Sequence, residues 1–207
     1  MSRVAVGRTG AVVLGLLLVG FGVAVWSTEE EEAAAAVEKA GELEAAVAEG
    51  KPATEAIEAE EAAAVDPEGE RPLEDALTCL ARTVYWEAKG EDLPGMEAVA
   101  SVVMNRLVDD AFPDTVCGVV QEGGEDGPCQ FSWWCDENPL GVEEPERYDV
   151  TMEVARRALN QELADRTDGA LFFHGEGVSP DWAEVFEPTV TLGGHVFYRP
   201  AAASPPE

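Results

Sequence analysis

The chain has 207 residues, with 42 acidic and 13 basic side chains and a formal net charge of -29 at neutral pH. That length allows one ordinary domain plus appendages, and that charge excludes nucleic acid, whose phosphates such a surface repels. Polybasic attachment to lipid headgroups is excluded for the same reason. Residues 29–70 hold 15 acids against Lys39 and Lys51, and residues 71–207 hold 27 against 9 bases, so the acidity is not confined to one segment. Its plainest reading is solubility in salty surroundings.

Arg3 and Arg8 precede an uncharged apolar run of 16 residues, Ala11 to Trp26. At about 1.5 Å per residue the run covers roughly 24 Å, a little short of a bilayer core of about 30 Å. Residues 1–28 therefore read as a signal anchor or a signal peptide. The anchor is favoured, because Val25-Trp26-Ser27 is a poor cleavage site. Positive charge ahead of the run places the remainder outside the cytoplasm, held at the inner membrane. Residues 29–72 are rich in alanine and glutamate, and the apolar residues larger than alanine (Val37, Leu43, Val47, Ile57, Val65) keep no heptad. Such a stretch is expected to be a helical or extended acidic linker that holds a domain away from the membrane.

The texture changes at Leu73. Leu77, Leu80, Ala81, Val84 and Ala88 follow the spacing of a buried helical face, and Gly90 closes that helix. Asp92 is placed to cap a second helix with Pro94 in its first turn, and Met96, Val99, Ala100, Val103 and Leu107 form its apolar stripe. A short turn of helix is expected at Thr115 to Val120, an irregular loop over 121–145, and a third helix from Glu146 to about Asn160. Ala170 to Phe173 and Thr189 to Leu192 read as strands. Gly193-Gly194 reads as a hairpin turn leading into a strand at His195 to Tyr198. The expected fold is α+β, with helices first and a small antiparallel sheet last, spanning 73–200 ahead of a short tail at 201–207.

Cys79, Cys117, Cys129 and Cys135 are separated by 38, 12 and 6 positions. An even count outside the cytoplasm favours two disulfides, with three possible pairings, over a zinc site that would want closely paired cysteines. Glu87 lies seven residues after Leu80, about 20° away on the helical wheel, and so on the apolar face. Burial there raises a carboxyl pKa, as a general acid requires; reaching solvent, or pairing with Arg82 or Lys89, is the structural alternative. No nucleophile elbow or zinc-protease motif occurs. His174, His195 and Asp181 match no ligand template, so neither metal nor cofactor is expected. The loop Cys129-Gln130-Phe131-Ser132-Trp133-Trp134-Cys135 mixes hydrogen-bonding groups with flat apolar faces, the combination that binds sugar rings, although some of those rings can equally be core.

These residues sit in stretches that resemble the SleB/CwlJ-type cell wall hydrolase family. The stretches are CLARTVYWEAKGE from Cys79, PGMEAVASVVMNRL from Pro94, FPDTVCGVV from Phe112, CQFSWWC from Cys129, GALFFH from Gly169, SPDWA from Ser179 and TLGGHVFYR from Thr191. The resemblance covers about residues 75–199. It implies a lysozyme-like helical fold with a small sheet, cleaving peptidoglycan between N-acetylmuramic acid and N-acetylglucosamine, and it places the family's catalytic acid on Glu87. Trp86 stands where spore-germination members carry a histidine or similar polar residue, and the cysteines look more like those of Gram-negative envelope members, which implies vegetative wall turnover. One carboxylate is clear and a partner is not; Asp136, Glu137 and Asp181 are candidates by composition. A single carboxylate suits a lytic transglycosylase, with a water-using muramidase, a non-catalytic wall-binding module and an envelope scaffold as rivals. Tyr85, Gln130, Ser132, Trp133, His174 and His195 are the expected glycan contacts, with Trp182 a weaker one.

Overall fold

The computed structural model describes residues 13–124, 129–135 and 141–201, and the side chains from residue 28 onward within that span. Among the described residues seven helices precede a three-stranded sheet: α1 Val13–Ala48, α2 Ala59–Val65, α3 Ala76–Glu87, α4 Leu93–Leu107, α5 Val116–Gln121, α6 Ser132–Cys135, α7 Pro145–Leu159, then β1 Phe172–Gly175, β2 Phe186–Leu192 and β3 His195–Pro200. A 3₁₀ turn, Asp181–Glu184, leads into β2. The expected α+β order is present.

Helix α3 is the centre of the molecule. Asp75 caps it by accepting from the Thr78 amide at 2.8 Å, and its residues from Ala76 to Tyr85 are all buried. It packs against α7 on one side and α4 and α5 on another. The disulfide Cys79–Cys117 ties it to α5, and a second disulfide joins Cys129 to Cys135. Asp92 caps α4 from its side chain to Gly95 N at 3.2 Å, and Thr115 does the same for α5 at 3.1 Å. The caps answer the free amides that every helix start presents.

The strands pair antiparallel in the order β1-β3-β2. Phe186 to Leu192 is longer than the expected strand because Pro188 lies on an edge strand, where its missing N–H costs nothing. Conversely β1 begins two residues later than expected. The Ala170 and Leu171 carbonyls are taken by the Asn105 and Arg106 side chains at 3.1 and 2.8 Å. Gly193 and Gly194 both have positive φ, 53° and 64°, as the tight hairpin needs. A Cβ on Gly193 would stand 2.7 Å from the Gly95 Cα, so the bare backbone at both positions lets the hairpin dock on the start of α4.

Residues 29–72 differ from the spacer expected of them. Ala33, Ala36, Ala40 and Leu43 are buried, with Val47 partly so, in alternating steps of three and four along α1. The stripe escapes a reading that counts only residues larger than alanine, yet alanine lets a helix approach its neighbours closely. Lys39 pairs with Glu61 of α2 at 2.7 Å, and Glu44 accepts from Val116 N at 2.7 Å. Burial raises the Glu44 pKa. Ile57 is fully buried, its N–H donating to Asn160 Oδ1 at 2.9 Å and its carbonyl accepting from Asn160 Nδ2 at 3.0 Å. The segment is thus a layer of the fold. Among the described residues no helix is long and apolar enough to cross a membrane; residues 1–12 of the expected anchor lie outside them.

Candidate active site

A cleft of about 670 Å³ opens between the end of α3, the end of α4, the 129–135 loop and the sheet. That is the size range of ligand sites. Glu87, the last residue of α3, reaches it half-buried. Burial pushes its pKa up to about 7, against the opposing pull of the Arg106 guanidinium. At neutral pH Glu87 is therefore far better able than an ordinary carboxylate to keep the proton that a general acid must hold. Burial in turn lowers Arg106 to about 10, still charged at neutral pH, while Glu122 and Glu87 favour its cation.

The wall opposite is aromatic. Phe172 of β1 stacks on Phe186 of β2 with ring centroids 4.5 Å apart, and Trp182 lies 5.9 and 5.8 Å from the two. His174 and His195 share this wall. His174 Nδ1 faces the Gly175 carbonyl at 2.9 Å and must donate to it, so in the neutral ring Nε2 accepts from Tyr198 O–H at 2.9 Å. Among the described residues His195 Nδ1 is buried with no hydrogen-bond partner, its ring edge-on to Phe173 at 5.2 Å. Gln130 and Ser132 are exposed at the rim, on the loop that the Cys129–Cys135 disulfide closes. Flat apolar faces, rim hydrogen-bonding groups and one carboxyl of raised pKa form a site suited to a polyhydroxylated ring.

The Cell Wall Hydrolase family model matches residues 90–198. The chain belongs to the cell wall hydrolase family. Spore cortex-lytic enzymes are similar to it: that of Halalkalibacterium halodurans is 32% identical over 124 residues, covering 58% of this chain and 34% of the relative. That of Bacillus cereus is 29% identical over 126 residues, covering 59% of this chain and 44% of the relative. The chain thus spans less than half the length of these relatives. The solved catalytic domain of the germination-specific lytic transglycosylase SleB from Bacillus anthracis is 25% identical, with a TM-score of 0.46, covering 60% of this chain and 93% of that one.

Within this member of the family the structure brings six of the expected residues into one cleft: Glu87, Gln130, Ser132, His174, Trp182 and His195. Tyr85 is elsewhere. Fully buried on the far side of α3, its hydroxyl accepts from the Glu143 and Glu144 amides at 3.1 and 3.0 Å, which sets the start of α7. Trp133 is also removed from the cleft and packs in the core, as does Phe131. Asp181 is exposed and does not line the cleft, and Asp136 and Glu137 lie outside the described residues. Among the described residues no cluster of three or more His, Cys, Asp or Glu is arranged to hold a metal. Sequence reasoning missed Arg106, Phe172 and Phe186. Phe172 carries a usable signal, since the aromatic run at 172–173 continues an apolar stretch straight into His174.

Proposed function

We propose that this chain cleaves peptidoglycan glycan strands between N-acetylmuramic acid and N-acetylglucosamine, with Glu87 as general acid and then base. The observation that carries the reading is the half-buried Glu87 with its pKa near 7 at the head of the aromatic cleft. Family membership and the spore cortex-lytic relatives support it. In the lysozyme-like arrangement proposed, Glu87 protonates the bridging oxygen as the glycosidic bond breaks and the leaving sugar departs with that proton. The Glu87 carboxylate then removes the proton from the muramyl 6-hydroxyl, whose oxygen closes on C1 to give a 1,6-anhydro end.

A hydrolase of the usual kind places a second carboxylate across the bond. Glu87 is the one carboxylate among the described residues that line the cleft, which favours the intramolecular acceptor over water. Gln130 and Ser132 at the rim and His174 and His195 on the wall are the proposed glycan contacts. The expected setting is outside the cytoplasm, with the Arg3–Trp26 segment as targeting signal or inner-membrane anchor. Mass spectrometry of fragments released from purified peptidoglycan tests the proposal. Anhydromuramyl ends from the wild type and none from Glu87→Gln are expected. Reducing muramic ends alone would make water the acceptor, and no release at all would leave a glycan-binding module.

A further inference from the structure

Arg106 stands at the C-terminal end of α4, where a cation ordinarily faces water and favours the helix dipole. Here it is only 3% exposed. Its Nε donates to the Leu171 carbonyl at 2.8 Å. Its guanidinium carbon lies 5.0, 5.2 and 5.6 Å from the ring centroids of Phe112, Phe131 and Phe172, which enclose the cation. Among the described residues neither terminal nitrogen has a hydrogen-bond partner, and Nη1 is fully buried. A desolvated donor left unpaired costs free energy that a bound acceptor restores. Arg106 also lines the cleft that holds Glu87.

We propose that Arg106 is a specificity residue for the glycan, its guanidinium terminus donating to the carbonyl oxygen of an acetamido group. This deepens the reading of the cleft as a glycan site and rests on it. A guanidinium has donors and no acceptor, so a carbonyl, which only accepts, matches it fully, whereas a sugar hydroxyl must place its own proton on another acceptor. A neutral amide also suits the surroundings better than an anion. Glu87 and Glu122 act on the same guanidinium through their charge, and a ligand carboxylate would meet both. The aromatic rings around Arg106 strengthen a hydrogen bond made there by excluding water.

The test uses the full chain carrying Glu87→Gln, so that nothing is turned over, and two neutral trisaccharides. Tri-N-acetylchitotriose carries an acetamido group on each ring; cellotriose has a hydroxyl in its place. The acetylated trimer is expected to bind at least about tenfold more tightly, and adding Arg106→Met is expected to cut that preference to less than about threefold. The side-chain nitrogen resonances of Arg106 are expected to shift with the acetylated trimer and to stay put with cellotriose. A preference that survives Arg106→Met, or unmoved Arg106 resonances while the acetylated trimer binds, overturns the proposal. If Arg106→Met does not fold, the resonance titration decides alone. Failure of both trimers to bind overturns the glycan reading of the cleft itself, an outcome separate from loss of the Arg106 preference.

Discussion

Two buried arginines, each set near a carboxylate, divide this molecule into a part that holds and a part that works. Arg82 and Asp66 join α3 to the loop after α2. Arg82 Nη2 meets Asp66 Oδ2 at 2.9 Å, Tyr148 O–H donates to the same oxygen at 2.7 Å, and Asp66 Oδ1 accepts from the Glu70 and Arg71 amides, both at 2.9 Å. Every lone-pair direction of that carboxylate has a donor, which is the condition under which a buried charge is tolerated. Arg106 and Glu87 sense each other's charge without an ion pair, and each lines the cleft with hydrogen-bonding capacity unused. Saturated pairing locks a fold, whereas unsaturated pairing with a shifted pKa leaves groups ready for a ligand.

The comparison is tested hardest at Glu87. Replacing it with Gln is expected to lower the rate of peptidoglycan clearing by about 10³-fold, the scale of general acid–base catalysis, without lowering the melting temperature. A Glu87→Gln protein that clears at the wild-type rate moves the working part elsewhere. On the holding side, Asp66→Ala removes the carboxylate that Arg82, Tyr148 and two backbone amides share, and is expected to destabilise the fold by about 3–5 kcal/mol, read by denaturant unfolding. A loss under about 1 kcal/mol would show the network to be ornamental, as exposed ion pairs commonly are.

Much of this was legible in the sequence because it rests on local pattern. The apolar spacing of α3 and α4, the cap at Asp92 and the Gly193-Gly194 turn all express short-range rules. Glu87 was legible for the same reason, as a carboxylate on an apolar helical face. The α1 layer was not, because its stripe is made of alanine and its worth depends on partners far along the chain, such as Asn160. Arg106 was hidden by its position at a helix end, where a cation is ordinary. Tyr85 and Trp133 misled because residue type alone does not say which side of a helix or loop meets the cleft.

Smaller effects sharpen the contrast. Glu87 has its pKa raised to about 7, so kcat/KM should fall as pH rises through about 7, where the acid loses its proton. The Arg106 cation favours the Glu87 carboxylate and holds that pKa down; Arg106→Met is therefore expected to move the falling limb to higher pH. The other groups facing the cleft, His174 and His195, are unchanged by this variant, and Lys89 on the same helix is engaged with Glu143 at 2.6 Å. A limb that stays fixed or moves down would show that Arg106 does not act on Glu87. Least in size, Tyr85→Phe removes an acceptor from two amides and should cost about 1–3 kcal/mol of stability with KM unchanged. A raised KM with full stability would return Tyr85 to the cleft.

The central claim is that Glu87 keeps its proton near neutral pH because the fold buries it without a paired cation. Carbon-13 NMR titration of the Glu87 carboxyl in the full-length protein, assigned by its loss in Glu87→Gln, measures this directly. The expected midpoint is about 7, well above the ordinary carboxylate value of 4.5. A midpoint at or below that ordinary value would contradict the account, because the group would then enter the reaction as a carboxylate with no proton to give.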